Sequence, residues 1–293
     1  MEKQAKAITR ELVFSLLPRR AAEAHKGDFG RLLIVAGSSR YRGAARLAAD
    51  GALHCGAGIV TLASTEAVIQ PAACALPELT FWPMPAAEDG SIALGNPALL
   101  AQAASGCTAL AAGCGLTQSA SARAVIEAVV SLPLPLVLDA DGLNLIAAAP
   151  GVLAGRAAPT LLTPHPGEMA RLCGRTVAEI SAAREGYALW LASQTGCVVV
   201  LKGHRTLIAA PDGRCRVNTT GGPGLARGGS GDLLTGMAGA LLAQRMDPFD
   251  AASCAVWLHG AAADACAARR GILSMQPHEL LEDLGALLAA AGF

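Results

Sequence analysis

The sequence predicts an α/β protein with a mostly parallel central sheet flanked by helices. Short apolar runs that end in Gly or Asp alternate with longer, alanine-rich segments of helical period. Several short runs, such as RLLIVAG and CVVVLKG, are almost uniformly apolar, as strands buried on both faces of a parallel sheet are. This alternation is typical of parallel strands joined by crossover helices.

The individual elements follow from the same pattern. Strands are expected at residues 31–37, 58–64, 108–113, 135–141, 159–165 and 197–203. Helices are expected at residues 43–55, 119–131, 177–195, 231–244, 249–270 and 277–291. Residues 206–220 are expected to form a hairpin, because Pro-Asp-Gly at 211–213 is a turn signal between two short strands. The Pro-rich segment 77–85 is expected to be a lobe edge or an excursion. Residues 1–293 are expected to form a single domain, because no repeat or linker divides them.

Composition excludes several function classes. The chain has 23 basic and 23 acidic residues, so nothing favours binding to nucleic acid or to an anionic membrane. Nine cysteines are scattered without zinc-ligand spacing, which is typical of reduced thiols in a cytoplasmic protein. Gly, Pro and polar residues interrupt the apolar stretches, so neither a membrane span nor a cleaved signal peptide is expected. The expected partners are small molecules or copies of the chain itself.

Polar residues gather where the predicted strands end. In open parallel sheets, ligands bind beyond the carboxyl ends of the strands, because loops and helix N-termini converge there. The segments at these ends are 37–39, 139–141, 163–165, 202–204 and the glycine-rich run 221–231. The sequence therefore predicts that one rim of the sheet carries the chemistry.

The most informative motif is the run GGPGLARGGSGD at residues 221–232, which leads into LLTGMAGALLAQ. Glycines let backbone N–H groups converge on one point, and the following helix adds the positive end of its dipole. We therefore expect an anion cradle formed by Gly228, Gly229, Ser230 and Gly231. No Gly-Lys-Ser/Thr follows and G-x-G-x-x-G is absent, so neither a Walker loop nor a dinucleotide fingerprint is indicated.

Asp232 stands at the start of the helix that follows the glycine-rich run. One interpretation is an ordinary first-turn acid, stabilised by the helix dipole beside a flexible surface loop. The other is a general base that takes a proton from an attacking hydroxyl next to transferred phosphate. A flexible loop alone does not need an acid at this place, so the sequence favours the general base.

Other strand ends carry candidate residues, each with an ordinary structural alternative. Lys202 can meet phosphate charge or lie at the solvated base of a hairpin. His165 and Glu168 in TPHPGE suit the start of a helix, and by itself His165 is more often a loop residue than a catalytic one. Asp139 and Asp141 can cap the next helix or help to hold hydrated magnesium.

Small residues near two other strand ends permit close approach by a bulky ligand. Ala44 begins the helix after GSSRYRG, and Gly115 belongs to the turn GCG at 113–115. Tight helix packing in an alanine-rich protein, or a simple turn, explains these residues equally well.

Taken in order, five motifs resemble those of the ADP-dependent NAD(P)H-hydrate dehydratases, which belong to the ribokinase-like superfamily. They are HKGDFGRLLIVAGSSRYRGAARLAADGALHCGAGIVTLA, LDADGLNL, TPHPGE, LKG and NTTGGPGLARGGSGDLLTG. The resemblance extends from about His25 to the C-terminal helices. The G-G-x-G-D ending marks only the superfamily, whereas HKGDFG together with TPHPGE is much more specific.

The resemblance implies a three-layer α/β/α ribokinase-like fold and a repair reaction. In that reaction the S epimer of NADH or NADPH hydrate is dehydrated to NADH or NADPH, while ADP becomes AMP and phosphate. Magnesium is the implied cofactor, ADP or ATP the co-substrate, and a cytoplasmic homotetramer the implied state. The family often carries an N-terminal epimerase domain, which is not expected in this chain.

Motif by motif, the resemblance also implies site residues. The adenine nucleotide is assigned to Lys202, Gly203, His204, Arg205, Thr206 and Gly231. The hydrated nicotinamide substrate is assigned to Ala44, Gly115, His165 and Asp232, with Asp232 as the catalytic base. Glu168 is expected to hold magnesium through water.

Two departures from the family pattern bear on the nucleotide. The usual loop reads close to TGNPGMATGGTGD, and here Arg227 brings a cation to the edge of the cradle, where it strengthens nucleotide binding or points to solvent. The segment GCGLT at 113–117 replaces the usual GPGLG. Two other functions stay open: an ATP-dependent kinase of a small alcohol or vitamin precursor, and a nucleotide-binding module without catalysis. Asp232 argues against the second, because pure binding needs no base beside phosphate.

Overall fold

The computed structural model describes residues 5–95 and 97–293. Its strands are β1 (Lys6–Ala7), β2 (Arg31–Val35), β3 (Ile59–Ser64), β4 (Thr80–Pro83), β5 (Ala109–Ala112), β6 (Leu136–Leu138), β7 (Thr160–Leu162), β8 (Val198–Leu201), β9 (Leu207–Ala209) and β10 (Cys215–Val217). Its α-helices are α1 (Arg10–Leu16), α2 (Arg42–His54), α3 (Glu66–Ala75), α4 (Pro97–Ala103), α5 (Ala120–Ser131), α6 (Asp141–Ile146), α7 (Pro166–Cys173), α8 (Val177–Ala182), α9 (Arg184–Thr195), α10 (Ser230–Ala243), α11 (Pro248–Arg270) and α12 (Leu280–Ala289). Three 3₁₀ turns lie at Pro150–Leu153, Pro223–Leu225 and Pro277–Glu279.

The strands form one sheet in the order β1-β10-β9-β8-β7-β6-β5-β2-β3-β4. Every strand of this sheet except β9 runs in the same direction, because β9 pairs antiparallel with both β8 and β10. The central strands are buried on both faces, so they could be recognised from their uniformly apolar sequences. The mostly parallel sheet and the predicted hairpin are both confirmed.

Helices cover both faces of the sheet and make three layers. In β2, Leu32 and Ile34 face the apolar core beneath α2, α10 and α11, whereas Leu33 and Val35 face a second core beneath α5, α7 and α9. This alternation is the two-residue period of a strand. Among the described residues, no helix is both long and apolar enough to cross a bilayer.

Close packing of α10 against α2 positions the glycine-rich segment. A β-carbon on Gly236 would lie 1.7 Å from the carbonyl oxygen of Ala48, and one on Gly51 would lie 2.4 Å from that of Leu233. Larger residues would separate the two helices, because the added β-carbon would meet backbone atoms of the facing helix, which cannot move aside as the end of a flexible side chain can. The small residues therefore fix α10 on the sheet, with its N-terminus at the rim where β6 and β8 end.

Three sequence predictions need correction. Residues 177–195 are two helices, because Ala183 takes a non-helical backbone conformation (φ −140°, ψ 49°) that turns Arg184 toward the carbonyl oxygen of Leu201. The segment 77–85 contains the edge strand β4, which pairs in parallel with β3. Residues 277–291 begin with a 3₁₀ turn, and α12 starts only at Leu280.

Candidate active site

A cavity of about 690 Å³ opens beyond the carboxyl ends of β6, β7 and β8. The predicted site residues that line it are His165, Glu168, Lys202, Gly203, His204, Thr206, Gly229, Ser230, Gly231 and Asp232. Four other predicted residues, Ala44, Gly115, Arg205 and Gly228, are not among its lining residues. The structure therefore brings most of the predicted rim together around one cavity.

The N-terminus of α10 faces this cavity without a side-chain cap. Its N-cap residue, Gly229, has a left-handed backbone conformation (φ 96°) and no side chain to accept from the first-turn N–H groups. A β-carbon at Gly229 would also lie 2.6 Å from Cδ1 of Leu47. The N–H of Ser230 donates to the carbonyl oxygen of Arg227 at 3.4 Å, so an anion at this end would meet the N–H groups of Gly231 and Asp232 and the positive end of the dipole.

The N-terminus of α7 lies at the same cavity but is capped. Nδ1 of His165 accepts from the N–H groups of Gly167 (3.0 Å) and Glu168 (3.4 Å). In return, Oε2 of Glu168 accepts from the N–H of His165 (2.8 Å), which completes a capping box. Because Nδ1 is an acceptor, the proton of the neutral ring is on Nε2. His165 therefore offers an N–H donor, and burial together with the Lys202 and Arg171 charges lowers its pKa.

Lys202 is held beside α10 by a buried carboxylate. Its Nζ donates to Oδ1 of Asp139 at 2.7 Å and lies 4.0 Å from Oε2 of Glu168. Burial opposes the charged form of Lys202, but the two carboxylates outweigh it and raise its pKa. The lysine is thus a fixed cation in the cavity wall and not a solvated hairpin residue.

Asp139 and Asp141 do not act as helix N-caps. The N-cap of α6 is Ala140, and Asp141 is the first helical residue. Asp139 instead pairs with Lys202, while Oδ2 of Asp141 accepts from the backbone N–H of Thr117 at 2.9 Å. The capping interpretation of the two aspartates is therefore wrong.

Asp232 lies in the first turn of α10, is partly buried and lines the cavity. Burial raises its pKa, and the negative charge of Asp139 adds to the rise, while a hydrogen bond with Cys114 and the charge of Lys202 oppose it. A carboxylate whose pKa lies above its ordinary value is a better proton acceptor than a solvated one. The position and the pKa shift both suit a general base.

Glu168 is the predicted contact for magnesium. Its Oε2 accepts from the His165 backbone and its Oε1 lies 3.3 Å from Nε2 of His165. Burial raises its pKa to about 7. Residues 5–95 and 97–293 contain no group of three or more His, Cys, Asp or Glu side chains arranged to hold a metal ion directly. Glu168 is an oxygen donor at the cavity, the type of group that contacts a hydrated divalent cation.

Ala44 and Gly115 pack against each other outside the cavity lining. A β-carbon on Gly115 would lie 2.9 Å from Cβ of Ala44 and 2.8 Å from Cβ of Tyr41, and Gly115 has a positive φ of 66°. Cys114, the neighbour of Gly115, interacts with Asp232 through its thiol. The pair thus forms a surface of small residues that Cys114 connects to the candidate base.

Arg227 lines the cavity, but part of its guanidinium is already engaged. Its Nη2 donates to the carbonyl oxygen of Leu273 at 2.8 Å. Met275 packs under Gly224, where a β-carbon would lie 2.3 Å from its Sδ. Arg227 therefore helps to attach the glycine-rich segment to the segment 273–275.

Several cavity residues were missed by sequence reasoning. Asn218, Thr220 and His259 line the cavity, and Oδ2 of Asp264 accepts from the Gly221 N–H at 2.8 Å. His259 and Asp264 lie within α11, away from any strand end. The expectation that ligands bind beyond the ends of the strands therefore did not point to them. The available signal was the run HGAAAD, which places polar side chains in an otherwise apolar helix.

Comparison with known proteins gives consistent matches. The profile described as NAD(P)H-hydrate dehydratase matches residues 32–285. The chain is 40% identical to the ADP-dependent (S)-NAD(P)H-hydrate dehydratase of Bacillus subtilis, over 94% of this chain and 95% of that protein. It is 42% identical to the bifunctional NAD(P)H-hydrate repair enzyme of Moorella thermoacetica, over 92% of this chain and 51% of that enzyme. The chain spans about half the length of bifunctional relatives such as this one.

Solved structures give the same result. The ADP/ATP-dependent NAD(P)H-hydrate dehydratase of B. subtilis, co-crystallised with ATP and Mg²⁺, superposes with a TM-score of 0.83 at 36% identity, covering 99% of both chains. A ribokinase-like superfamily protein from Enterococcus faecalis superposes with a TM-score of 0.85 at 22% identity, over 99% of this chain and 98% of that one, which supports the fold alone. The predicted ribokinase-like fold is therefore confirmed. On this evidence the chain belongs to the NAD(P)H-hydrate dehydratase family.

Proposed function

We propose that this chain is an ADP-dependent dehydratase that restores NADH or NADPH from the S epimer of its hydrate. The observation that carries the proposal is Asp232 beside the uncapped N-terminus of α10, in a cavity that also contains the fixed ammonium of Lys202. A base next to a phosphate site is what phosphorylation of a hydroxyl group requires. Two relatives that the match covers over most of their own length are named ADP-dependent (S)-NAD(P)H-hydrate dehydratase, and these names support the same reaction.

The reaction is a phosphoryl transfer followed by an elimination. The Asp232 carboxylate takes the proton of the substrate hydroxyl, and the hydroxyl oxygen bonds to the terminal phosphorus of ADP while the bond to AMP breaks. Phosphate is a much better leaving group than hydroxide. It then leaves the substrate carbon, the adjacent carbon loses a proton, and the ring double bond is restored. The balance is hydrate plus ADP giving NAD(P)H, AMP and phosphate.

The nucleotide is assigned to the cavity, which Asp232 also lines. Lys202 and the first-turn N–H groups of α10 meet the phosphates, and the segment 202–206 borders the nucleoside. These groups are fixed before the reaction begins, so they stabilise the moving charge without reorganisation. Arg205 and Gly228 belong to the proposed segments, but only their neighbours line the cavity.

The hydrated nicotinamide ring is assigned to the side of Ala44 and Gly115. Small residues allow the ring to approach Asp232 closely, and the Nε2–H of His165 donates to a substrate oxygen. On this arrangement the two substrates meet at Asp232, and His165, which lines the cavity, contacts the substrate oxygen there. Proton removal and phosphoryl transfer then take place on the same oxygen.

Magnesium is proposed to accompany the nucleotide phosphates, with Glu168 holding it through its water ligands. Asp139, Glu168 and Asp232 place three carboxyl groups around one lysine, and the phosphates add further negative charge. A hydrated divalent cation offsets this charge and neutralises the transferred group. The homotetrameric assembly and the cytoplasmic location remain predictions.

The test is an assay of purified protein with hydrated NADH, ADP and magnesium. We expect NADH absorbance to return with release of equal amounts of AMP and phosphate. If neither product forms, the proposal is wrong. If ATP instead phosphorylates a small alcohol and the phosphate stays on that product, the chain is a ribokinase-like kinase.

A further inference from the structure

Asp139 directly follows β6, is 1% exposed and lines the cavity. Both of its carboxylate oxygens are engaged: Oδ1 accepts from Nζ of Lys202 at 2.7 Å, and Oδ2 accepts from Oγ1 of Thr235 at 2.7 Å. Lys202 follows β8, and Thr235 lies in the second turn of α10. One side chain thus joins three elements that are distant in sequence.

The ion pair lies directly beneath the first turn of α10. A β-carbon on Gly231 would be 3.3 Å from Nζ of Lys202 and 3.5 Å from Oδ2 of Asp139. The Lys202 ammonium and the uncapped N-terminus of α10 therefore border the same part of the cavity. A phosphate placed there would meet both.

The backbone around Asp139 is strained and held from several directions. Ala140, which also lines the cavity, has a positive φ of 50° with ψ −122°. The Asp139 N–H donates to Ala112, and its carbonyl oxygen accepts from Gly142 at 2.9 Å. Gly113 packs so close to this carbonyl oxygen that a β-carbon would lie 1.9 Å from it. Such strain persists only where the surroundings impose it, and it is common at functional sites.

We propose that Asp139 is a positioning residue, which holds the Lys202 ammonium in register with the first turn of α10 so that both bind the same phosphate. This inference rests on the proposed nucleotide site. A free lysine side chain has many rotamers, and fixing it before the ligand arrives reduces the entropy lost on binding. Without Asp139, the ammonium has Glu168 at 4.0 Å as its other carboxylate neighbour.

The decisive experiment measures ADP binding without turnover, by calorimetry in the presence of magnesium. In Asp139→Asn we expect the Kd for ADP to rise about tenfold, the effect of losing one charge-assisted hydrogen bond. In turnover assays, the KM for ADP should rise similarly, while the KM for hydrated NADH changes less than about threefold. Thr235→Ser, which keeps the hydroxyl, should bind ADP as wild type does, and Thr235→Val should bind it more weakly.

Two controls separate positioning from general stabilisation. Asp250→Asn breaks another ion pair, to Arg216 at 2.6 Å, away from the cavity lining, and should leave the Kd for ADP unchanged. In a Lys202→Met background, Asp139→Asn should weaken ADP binding no further, because the carboxylate acts through the lysine.

The outcomes are distinguishable. If wild type binds no ADP, the proposed function fails. If wild type binds ADP and folded Asp139→Asn binds it equally well, the positioning role is wrong. If Asp139→Asn does not fold, Thr235→Val decides, and unchanged ADP binding in that variant overturns the inference.

Discussion

Two helices begin at the same cavity, and their N-termini are built in opposite ways. The first turn of α7 is satisfied by the chain itself, through the capping box of His165 and Glu168. The first turn of α10 begins at Gly229 and has no side-chain cap. A free helix N-terminus is less stable than a capped one, and its unpaired donors attract anions. The contrast indicates that α7 serves to place side chains, whereas α10 serves to bind phosphate with its backbone.

The largest effect is expected at the carboxylate on the open helix. Asp232→Asn keeps the shape of the side chain but cannot accept the proton, so kcat should fall by about 10³-fold or more. The Kd for ADP should stay within about threefold of wild type, because the backbone donors remain. Stopped-flow turnover and calorimetry test this, and near-normal turnover would refute the assigned role of Asp232.

The next largest effect is expected on the pH dependence of stability, and it separates the two histidines that lie near these helix starts. His165 is half exposed, whereas His259 is buried, and its Nε2 has no hydrogen-bond partner in the part of the chain that the structure describes. Burial lowers the pKa of His259 to about 4, below the 6.5 of an unfolded histidine. The unfolded chain therefore takes up a proton first as the pH falls, and the stabilisation present above pH 6.5 is lost toward pH 4.

Denaturant unfolding at several pH values tests this expectation. Between pH 7.5 and pH 5, wild type should lose about 2 kcal/mol that His259→Asn does not lose. For each protein, the free energy of unfolding at pH 5 is compared with its own value at pH 7.5. The contributions of titratable groups that both proteins share then cancel in the difference between the two losses. Parallel losses in the two proteins would contradict the buried, neutral state of His259.

A third prediction concerns the residue that leaves α10 uncapped. Gly229→Ala forces a non-glycine residue into the left-handed region, which costs about 1–2 kcal/mol, and it presses on Leu47. The KM for ADP should rise about tenfold because the donors are displaced. Gly228→Ala is the matched control, since a β-carbon there meets no atom within 4 Å and its φ is not positive. Equal effects of the two substitutions would argue against a cradle centred on Gly229.

The smallest effect is expected at the capped helix. His165→Ala removes the N-cap of α7 and should lower the free energy of unfolding by about 1 kcal/mol. His165→Asn keeps a capping oxygen and should restore most of that loss. Both variants lack the Nε2–H donor, so both should show a raised KM for the hydrated dinucleotide. Equal stability of the Ala and Asn variants would show that the cap contributes little.

The sequence located the sheet better than it located the short helices. The buried central strands were predicted to within three residues, because a strand covered on both faces is apolar throughout. The helix α3 was missed because Pro71 lies inside it, and β4 was missed in a Pro-rich segment. The single helix predicted over 177–195 failed at Ala183, where helical propensity continues but the backbone turns.

The sequence by itself determined the parallel α/β class, the rim that carries the polar residues, and the glycine-rich segment that leads into Asp232. These features are local, because they depend on apolar runs, turn residues and residues adjacent in the chain. Only the tertiary structure decided which polar residues meet. The bond between Asp139 and Lys202 joins residues 63 positions apart, and His259 reaches the cavity from the middle of α11. Partners across such distances are chosen by the packing of whole elements, which no local pattern records.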